Sequence, residues 1–261
     1  MHEKRLLRVA ADWVWQPHDA VRVDSDGIRL QVWRGEATVL ETTGYEDAPS
    51  VLVARAVSTA QDAGASALVW ALHPLTHVVG LAEALTARGA TVVEELDVSV
   101  RDLSPNDATP SMPPDVTVSR IDSPQALSDA YMVDHLVFGF SLPDAQFRRD
   151  DIAALRKEVA AGAARSDFRY VARIGGEAVG SAGMTLDASV AKLWGGAVLP
   201  AYRRRGVYRA MLSGRLAQGV ERGATTALVK GRVNTSAPIL KSAGFTTKGR
   251  ETHYRIALND A

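Results

Sequence analysis

Residues 193–212 constrain this chain more than any other stretch. Leu193-Trp194-Gly195-Gly196-Ala197-Val198-Leu199 is an apolar run of strand length. Pro200-Ala201-Tyr202-Arg203-Arg204-Arg205-Gly206 follows as a basic turn, and Val207-Tyr208-Arg209-Ala210-Met211-Leu212 opens a helix. Tyr208, Met211, Leu212, Leu216 and Val220 recur at helical spacing, Arg215 breaks the stripe, and Gly223 is a helix stop. The first amides of a helix have no partner inside it, and the aligned peptide dipoles leave partial positive charge there. Three arginines beside such amides suit a diphosphate, and a glycine at 206 admits close approach of the phosphates. The turn is neither a Walker loop, which needs Gly-x-x-x-x-Gly-Lys-Ser/Thr, nor a dinucleotide fingerprint.

Composition narrows the partners. The 261 residues suit one large or two ordinary domains, and 46% hydrophobic with 23% charged residues is a globular balance. Thirty basic and thirty acidic side chains cancel, so neither nucleic acid nor an anionic membrane is an expected partner. The absence of cysteine excludes disulfides, thiolate catalysis and Cys-based zinc sites. No apolar run approaches a bilayer span, and Leu6-Leu7 is too short for the core of a signal peptide. A soluble, cytoplasmic protein without a metal is expected. His73 and His77 have metal-like spacing, but Pro74 breaks the helix between them and no third ligand is evident.

Along the chain, residues 9–23 read as an entry segment that packs Trp13 and Trp15. Residues 28–32 and 37–42 alternate as a hairpin around Arg34-Gly35. Residues 49–63 are helical, 67–72 a buried strand, 76–88 a second helix and 91–100 a strand. Residues 103–114 hold four prolines and read as a linker with neither helix nor inner strand. Strand 116–121 follows, then helices from Ser123-Pro124 to Phe138 and from 143 to 161. Residues 168–174 and 177–186 are strands around Gly175-Gly176. After strand 190–199 and the helix behind the basic turn come strand 224–229, helix 236–242 stopped by Gly244, and strand 253–258.

The two halves echo each other. Gly64-Ala65-Ser66-Ala67-Leu68-Val69 parallels Gly223-Ala224-Thr225-Thr226-Ala227-Leu228-Val229 with one insertion. Leu85-x-x-x-Gly89-x-Thr91 parallels Leu240-x-x-x-Gly244-x-Thr246. Where the second half has the basic turn, the first has Glu41-Thr42-Thr43-Gly44-Tyr45-Glu46-Asp47, which would repel a diphosphate. Two similar folds are expected, of which the second binds the anion.

The turn resembles motif A of the GNAT N-acetyltransferase superfamily, Gln/Arg-x-x-Gly-x-Gly/Ala, with Arg203, Gly206 and Tyr208 in the marked places. Residues 234–245, from Asn234 through Ser236 to Gly244-Phe245, resemble motif B. The resemblance implies an α/β (α+β) class of two GNAT-like domains, each a mixed, mostly antiparallel sheet flanked by helices. The divisions are a degenerate copy at 1–103, a linker at 104–115 and a transferase domain at 116–261. It also implies acetyl-coenzyme A as cosubstrate. Its pantetheine arm would pair with backbone around Ala197, Val198 and Leu199 where two strands part, and its diphosphate would sit on Arg203, Arg204, Arg205, Gly206, Val207 and Tyr208. Asn234 and Ser236 would complete the cofactor side, and a strand amide near Gly196-Ala197-Val198 would stabilise the oxyanion. The implied reaction is direct attack by a primary amine, small or peptidic, in a ternary complex. The alternative is a non-catalytic acyl-coenzyme A-binding or regulatory protein of the same fold. A homodimer is compatible with either.

Three departures from the family stand out. The strand before the turn carries no Glu, motif B places Leu240 or Lys241 where many members have a Tyr, and Tyr208 puts a ring where Gly or Ala is usual. Candidate proton handlers are Tyr254 and His253 on the last strand, one of which alternation turns inward, and His135 on the helix that ends at Phe138, a base where that helix lines the cleft.

Overall fold

The computed structural model describes residues 2–17, 19–43 and 47–258. In chain order the elements are α1 (His2–Ala11), β1 (Val21–Ser25), β2 (Ile28–Trp33), β3 (Glu36–Thr42), α2 (Pro49–Asp62), β4 (Ala67–Leu72), α3 (Leu81–Ala87) and β5 (Thr91–Asp102). Then come β6 (Val116–Arg120), α4 (Pro124–Phe138), α5 (Ala145–Ala160), β7 (Asp167–Ile174), β8 (Glu177–Asp187), β9 (Val190–Val198), α6 (Val207–Glu221), β10 (Thr226–Arg232), α7 (Ser236–Ser242) and β11 (Thr246–Ala257). The chain divides into two compact units. One holds the described residues up to Ser99 together with Gly231–Pro238 and the described residues from Thr247 on. The other holds Val100–Lys230 and Ile239–Thr246.

Both units have the expected class of mixed, mostly antiparallel sheet with helices. In the first, the strands follow the order β1-β2-β3-β4-β11-β5, with β3 and β4 parallel and β1/β2, β2/β3 and β4/β11 antiparallel. In the second the order is β10-β9-β8-β7-β6, with β9 and β10 parallel and the others antiparallel. Each parallel pair needs a crossover helix, supplied by α2 in one unit and α6 in the other. The run β3-α2-β4-α3-β5 therefore repeats as β9-α6-β10-α7-β11, as the echo of the halves suggests. Of the acidic segment before α2, Gly44, Tyr45 and Glu46 lie outside the described residues. Asp47 pairs with Arg55 at 2.9 Å.

Local chemistry explains most boundaries. The β7–β8 turn uses Gly175 and Gly176 at φ +57° and +87°, the left-handed pair whose twist matches a two-residue hairpin. Ser123 caps α4 by accepting from the amide of Ala126 at 3.2 Å, with Pro124 at the first helical position. Asp144 caps α5 through the amide of Phe147 at 2.8 Å. Leu127 and Ala130 of α4 and Leu155 of α5 bury against Ile121 and Val171 on one face of the second unit's sheet. Leu212 and Leu216 of α6 bury with Phe168, Met184 and Leu193 on the other.

Several expectations need correction. Arg215 does not interrupt the buried stripe of α6; it is itself only 1% exposed, because its guanidinium finds backbone carbonyls inside the core. Helix α3 starts at Leu81, since residues 73–76 close a turn in which the amide of Leu75 donates to His73 Nδ1 at 3.1 Å. The proline-rich stretch does contain a 3-10 turn at Pro105–Ala108, made possible by reciprocal capping between Ser104 and Asp107. Residues 21–23, read as the end of an entry segment, belong to β1, turned into β2 by Asp26-Gly27. Strand β11 begins at Thr246, seven residues before the expected His253; it pairs with β4 from Thr252 to Ala257 and has β5 on its other side. Among the described residues no helix is long and apolar enough to cross a membrane.

Candidate active site

Strands β9 and β10 run in parallel register from Val190↔Thr226 to Leu193↔Val229, and their pairing stops there. Residues 194–198 of β9 continue without β10 beside them. On its other side, β9 pairs with β8 through Gly183↔Trp194 and then resumes at Ser181↔Ala197. Gly195 and Gly196 together face Ala182 alone, which is a bulge, and Gly195 adopts φ +61° to make it. The bulge releases strand amides from the ladder just where the strands part. A backbone opened on both sides can take an extended, amide-bearing ligand as an added strand.

Two aromatic rings close on this bulge. The Trp194 indole lies against Gly183, where an added Cβ would meet it at 2.3 Å, and its Nε1 donates to Thr185 Oγ1 at 3.0 Å. On the other face, the ring of Tyr208 sits against Gly196, where an added Cβ would be 2.8 Å from Cε2. This settles the orientation of the ring in the motif A position: it covers the bulge and packs on the core beneath it.

The basic turn ends at the N-terminus of α6. Gly206 is the N-cap residue at φ +80° with no side-chain cap, which leaves the amides of the first turn open to an outside acceptor. Val207 is buried at the start of the helix, while Arg203, Arg204 and Arg205 are exposed. Their side chains are not equivalent. Arg203 Nε lies 3.4 Å from the carbonyl of Val198, and Arg205 pairs with Asp115 at 2.5 Å and stacks over the Tyr202 ring. Ala197 and Val198 are buried, and the amide of Leu199 donates to Val179 at 2.9 Å, which fixes the strand before the turn.

The other candidates are distributed differently. His135 lies on α4 of the second unit, its Nδ1 donating to the carbonyl of Phe140 at 2.5 Å. His253 and Tyr254 belong to the first unit, as do Asn234 and Ser236. Nε2 of His253 is 2.8 Å from the buried Glu251 and Nδ1 is 3.8 Å from Glu94. Tyr254 stands opposite Trp70 on β4 and packs on that unit's core.

One feature of the second unit was not singled out from the sequence. Asp134, next to His135 on α4, accepts a hydrogen bond from the hydroxyl of the buried Ser181 on β8. Ser181 is the residue opposite Ala197, so this carboxylate stands at the level of the bulge. Burial pushes its pKa up to about 6; the Ser181 hydrogen bond and the charge of Arg169 pull the other way and do not prevail. Its place four residues after Ala130 and seven after Leu127, both buried, is the signal that could have found it: an acid on an apolar helical stripe. Nearby, Arg169 holds Asp151 through two bonds of 2.7 and 3.0 Å, and Tyr131 donates to the same carboxylate. Burial, then that bond, push the Tyr131 hydroxyl pKa up.

The family model for the acetyltransferase (GNAT) family matches residues 129–245, which run from within α4 through the bulge and the basic turn to the end of α7. Whole-chain structural likeness extends further. A GCN5-related N-acetyltransferase from Sphaerobacter thermophilus is 18% identical, with 97% of this chain and 86% of that one covered at a TM-score of 0.67. A tandem GNAT protein from the clavulanic acid biosynthesis pathway is 15% identical, with 98% and 88% covered at 0.63. A GCN5-related N-acetyltransferase from Kribbella flavida is 17% identical, with 97% and 94% covered at 0.61. No curated protein matches the chain. At these identities the solved structures show the fold alone, and the family model adds a match over residues 129–245. Residues 129–245 thus match the model of the acetyltransferase (GNAT) family, and the chain shares its fold with solved GNAT proteins, a tandem GNAT protein among them.

Proposed function

We propose that the chain transfers an acetyl group from acetyl-coenzyme A to a primary amine, small or peptidic, by direct attack in a ternary complex. The observation that carries this reading is the coincidence of three openings in one place. The β9/β10 pairing ends at Leu193↔Val229, the bulge at Gly195-Gly196 follows at once, and the uncapped start of α6 lies at the end of the same strand. A long ligand with amides at one end and a diphosphate at the other suits that order.

In this reading the backbone of Ala197 and Val198 pairs with the amides of the pantetheine arm. The first-turn amides of α6, with Arg203, Arg204, Arg205 and Gly206 beside them, hold the diphosphate. An amide released by the bulge is placed to stabilise negative charge on the thioester oxygen as the amine attacks. Arg205 must exchange Asp115 for the diphosphate, or act while still paired with it.

The test is direct. Acetyl-coenzyme A should raise the melting temperature of the protein, and free thiol should appear with at least one member of a panel of primary amines. Gly206→Asp places a carboxylate where the diphosphate belongs and should abolish the cofactor-induced shift. Unchanged binding in that variant would remove the loop from the site. Stabilisation without turnover on any amine would support the non-catalytic alternative instead.

A further inference from the structure

An amine is mostly protonated at neutral pH and cannot attack a carbonyl until it loses a proton, so a base must stand near the bulge. Strand β9 carries no acid between Val190 and Val198. Tyr131 already donates its hydroxyl to Asp151. In the second unit, Asp134 is bonded directly to Ser181, the β8 residue beside the bulge.

The geometry points to Asp134 as the proton acceptor for the attacking amine, held in place by Ser181. Three structural facts support this assignment, which rests on the transferase reading above. First, Ser181 and Ala197 are directly opposed across an antiparallel pair, so their Cβ atoms are about 5 Å apart. Asp134 is bonded to Ser181, which places its carboxylate within the length of a small molecule from the amides that the bulge frees. Second, Ser181 and Gly183 point to the same face of β8, and Trp194 is opposite Gly183. Asp134, Ser181, Ala197 and the Trp194 indole therefore share the α4 side of the sheet, away from α6. Third, the surroundings leave the carboxylate free to take a proton. The positive charge that acts on it is that of Arg169 on β7, which is engaged by Asp151 from α5. His135, its neighbour on α4, is turned to the Phe140 carbonyl. Neither β8 nor β9 presents a charged group beside it at Ser181 and Ala197.

The proton balance is simple. The ammonium of the acceptor gives one proton to the Asp134 carboxylate. The freed nitrogen lone pair forms the bond to the thioester carbon, and the carbon–sulfur bond breaks with its electron pair on sulfur. The second proton lost by nitrogen ends on the thiolate, giving the free thiol, and Asp134 returns its proton to solvent. One amide, one thiol and one proton result from one ammonium and one thioester. Asp134 would touch the reacting amine. Ser181 is a positioning residue, acting through its bond to the carboxylate.

Two measurements test the assignment. The side-chain carboxyl of Asp134, followed by carbon NMR in the protein without ligand, should titrate near pH 6. In Ser181→Ala it should titrate higher, because a bond to the ionised form is gone. A carboxyl that titrates in the ordinary aspartate range, unmoved by Ser181→Ala, overturns the proposal. The second measurement uses acetyl-coenzyme A and the most active amine of the panel. Asp134→Asn should retain the cofactor-induced melting shift, lose on the order of 100-fold or more in kcat, and lose the acid limb of the pH profile. Ser181→Ala should keep that limb but shift it upward. A wild-type protein that turns over, with Asp134→Asn equally fast and the limb intact, sinks the base assignment and leaves the transferase reading standing. A wild-type protein that binds no acetyl-coenzyme A removes both.

Discussion

Nη1 of Arg215 donates to the carbonyl oxygen of Trp194 at 3.3 Å and to that of Gly183 at 3.1 Å, two residues directly opposed across β8 and β9. A charged group at the centre of α6 thus fastens the strand pair at the last rung before the bulge. Its Nε also donates to the Met211 carbonyl at 3.2 Å. Burying a guanidinium is costly, and burial pulls its pKa down. The carbonyls it meets are a partial return for that cost, and they lie where the ladder breaks.

Arg215→Met should therefore destabilise the protein by about 1–3 kcal/mol, since buried carbonyls lose a donor that a thioether cannot replace. Arg215→Lys should fall between the two, because an ammonium cannot reach several carbonyls with a fixed fork. Urea midpoints at pH 7 check the order. A methionine variant as stable as the wild type would show that the bonds are incidental.

Tyr208 and Gly196 should be energetically coupled. Gly196→Ala forces a methyl group to 2.8 Å from the tyrosine ring and should cost about 1–2 kcal/mol. In a Tyr208→Ala background the same change should cost much less, because the ring is gone. A double-mutant cycle measures the difference, with a coupling of about 1 kcal/mol or more expected for groups in contact. Simple additivity would mean that the ring moves aside at no cost.

Asp134 should cost stability at neutral pH. Its folded-state pKa of about 6 lies above the ordinary aspartate value of 3.8, so the folded protein holds the proton more tightly than the unfolded chain. The native state is then penalised progressively as pH rises from about 4 through about 6. Asp134→Asn should stabilise the protein at pH 7 by on the order of 2 kcal/mol, an advantage that fades as pH falls from about 6 and is gone below about pH 4. Thermal melts of both proteins across that range decide it. A variant less stable than the wild type at pH 7 would mean that the carboxylate serves α4 packing rather than chemistry.

The elements that were legible early are those whose cause is local. The cap at Ser123, the two-glycine turn at Gly175-Gly176, the stops at Gly64 and Gly223, and the basic turn into α6 each rest on residues a few positions apart. Their backbone preferences act before any tertiary contact forms. The internal echo of the halves was legible for the same reason, because a repeated crossover helix needs the same stop and the same short strand.

The site chemistry required distances that no local pattern carries. Ser181 lies 47 residues from Asp134 in sequence, and only the packing of α4 on β8 brings the hydroxyl to the carboxylate. Arg215 looked like a break in an apolar stripe because hydropathy does not register the carbonyls at 183 and 194 that accept its protons. The register of β11 came from its neighbours, and Tyr254 meets Trp70 of β4 from the far end of the chain. Local sequence sets which segments become helix, strand or turn, since those choices depend on neighbouring dihedrals and caps. Which buried polar groups find partners, and which carboxylate keeps its proton, depends on the dielectric and donors that distant segments bring, and so belongs to the folded molecule alone.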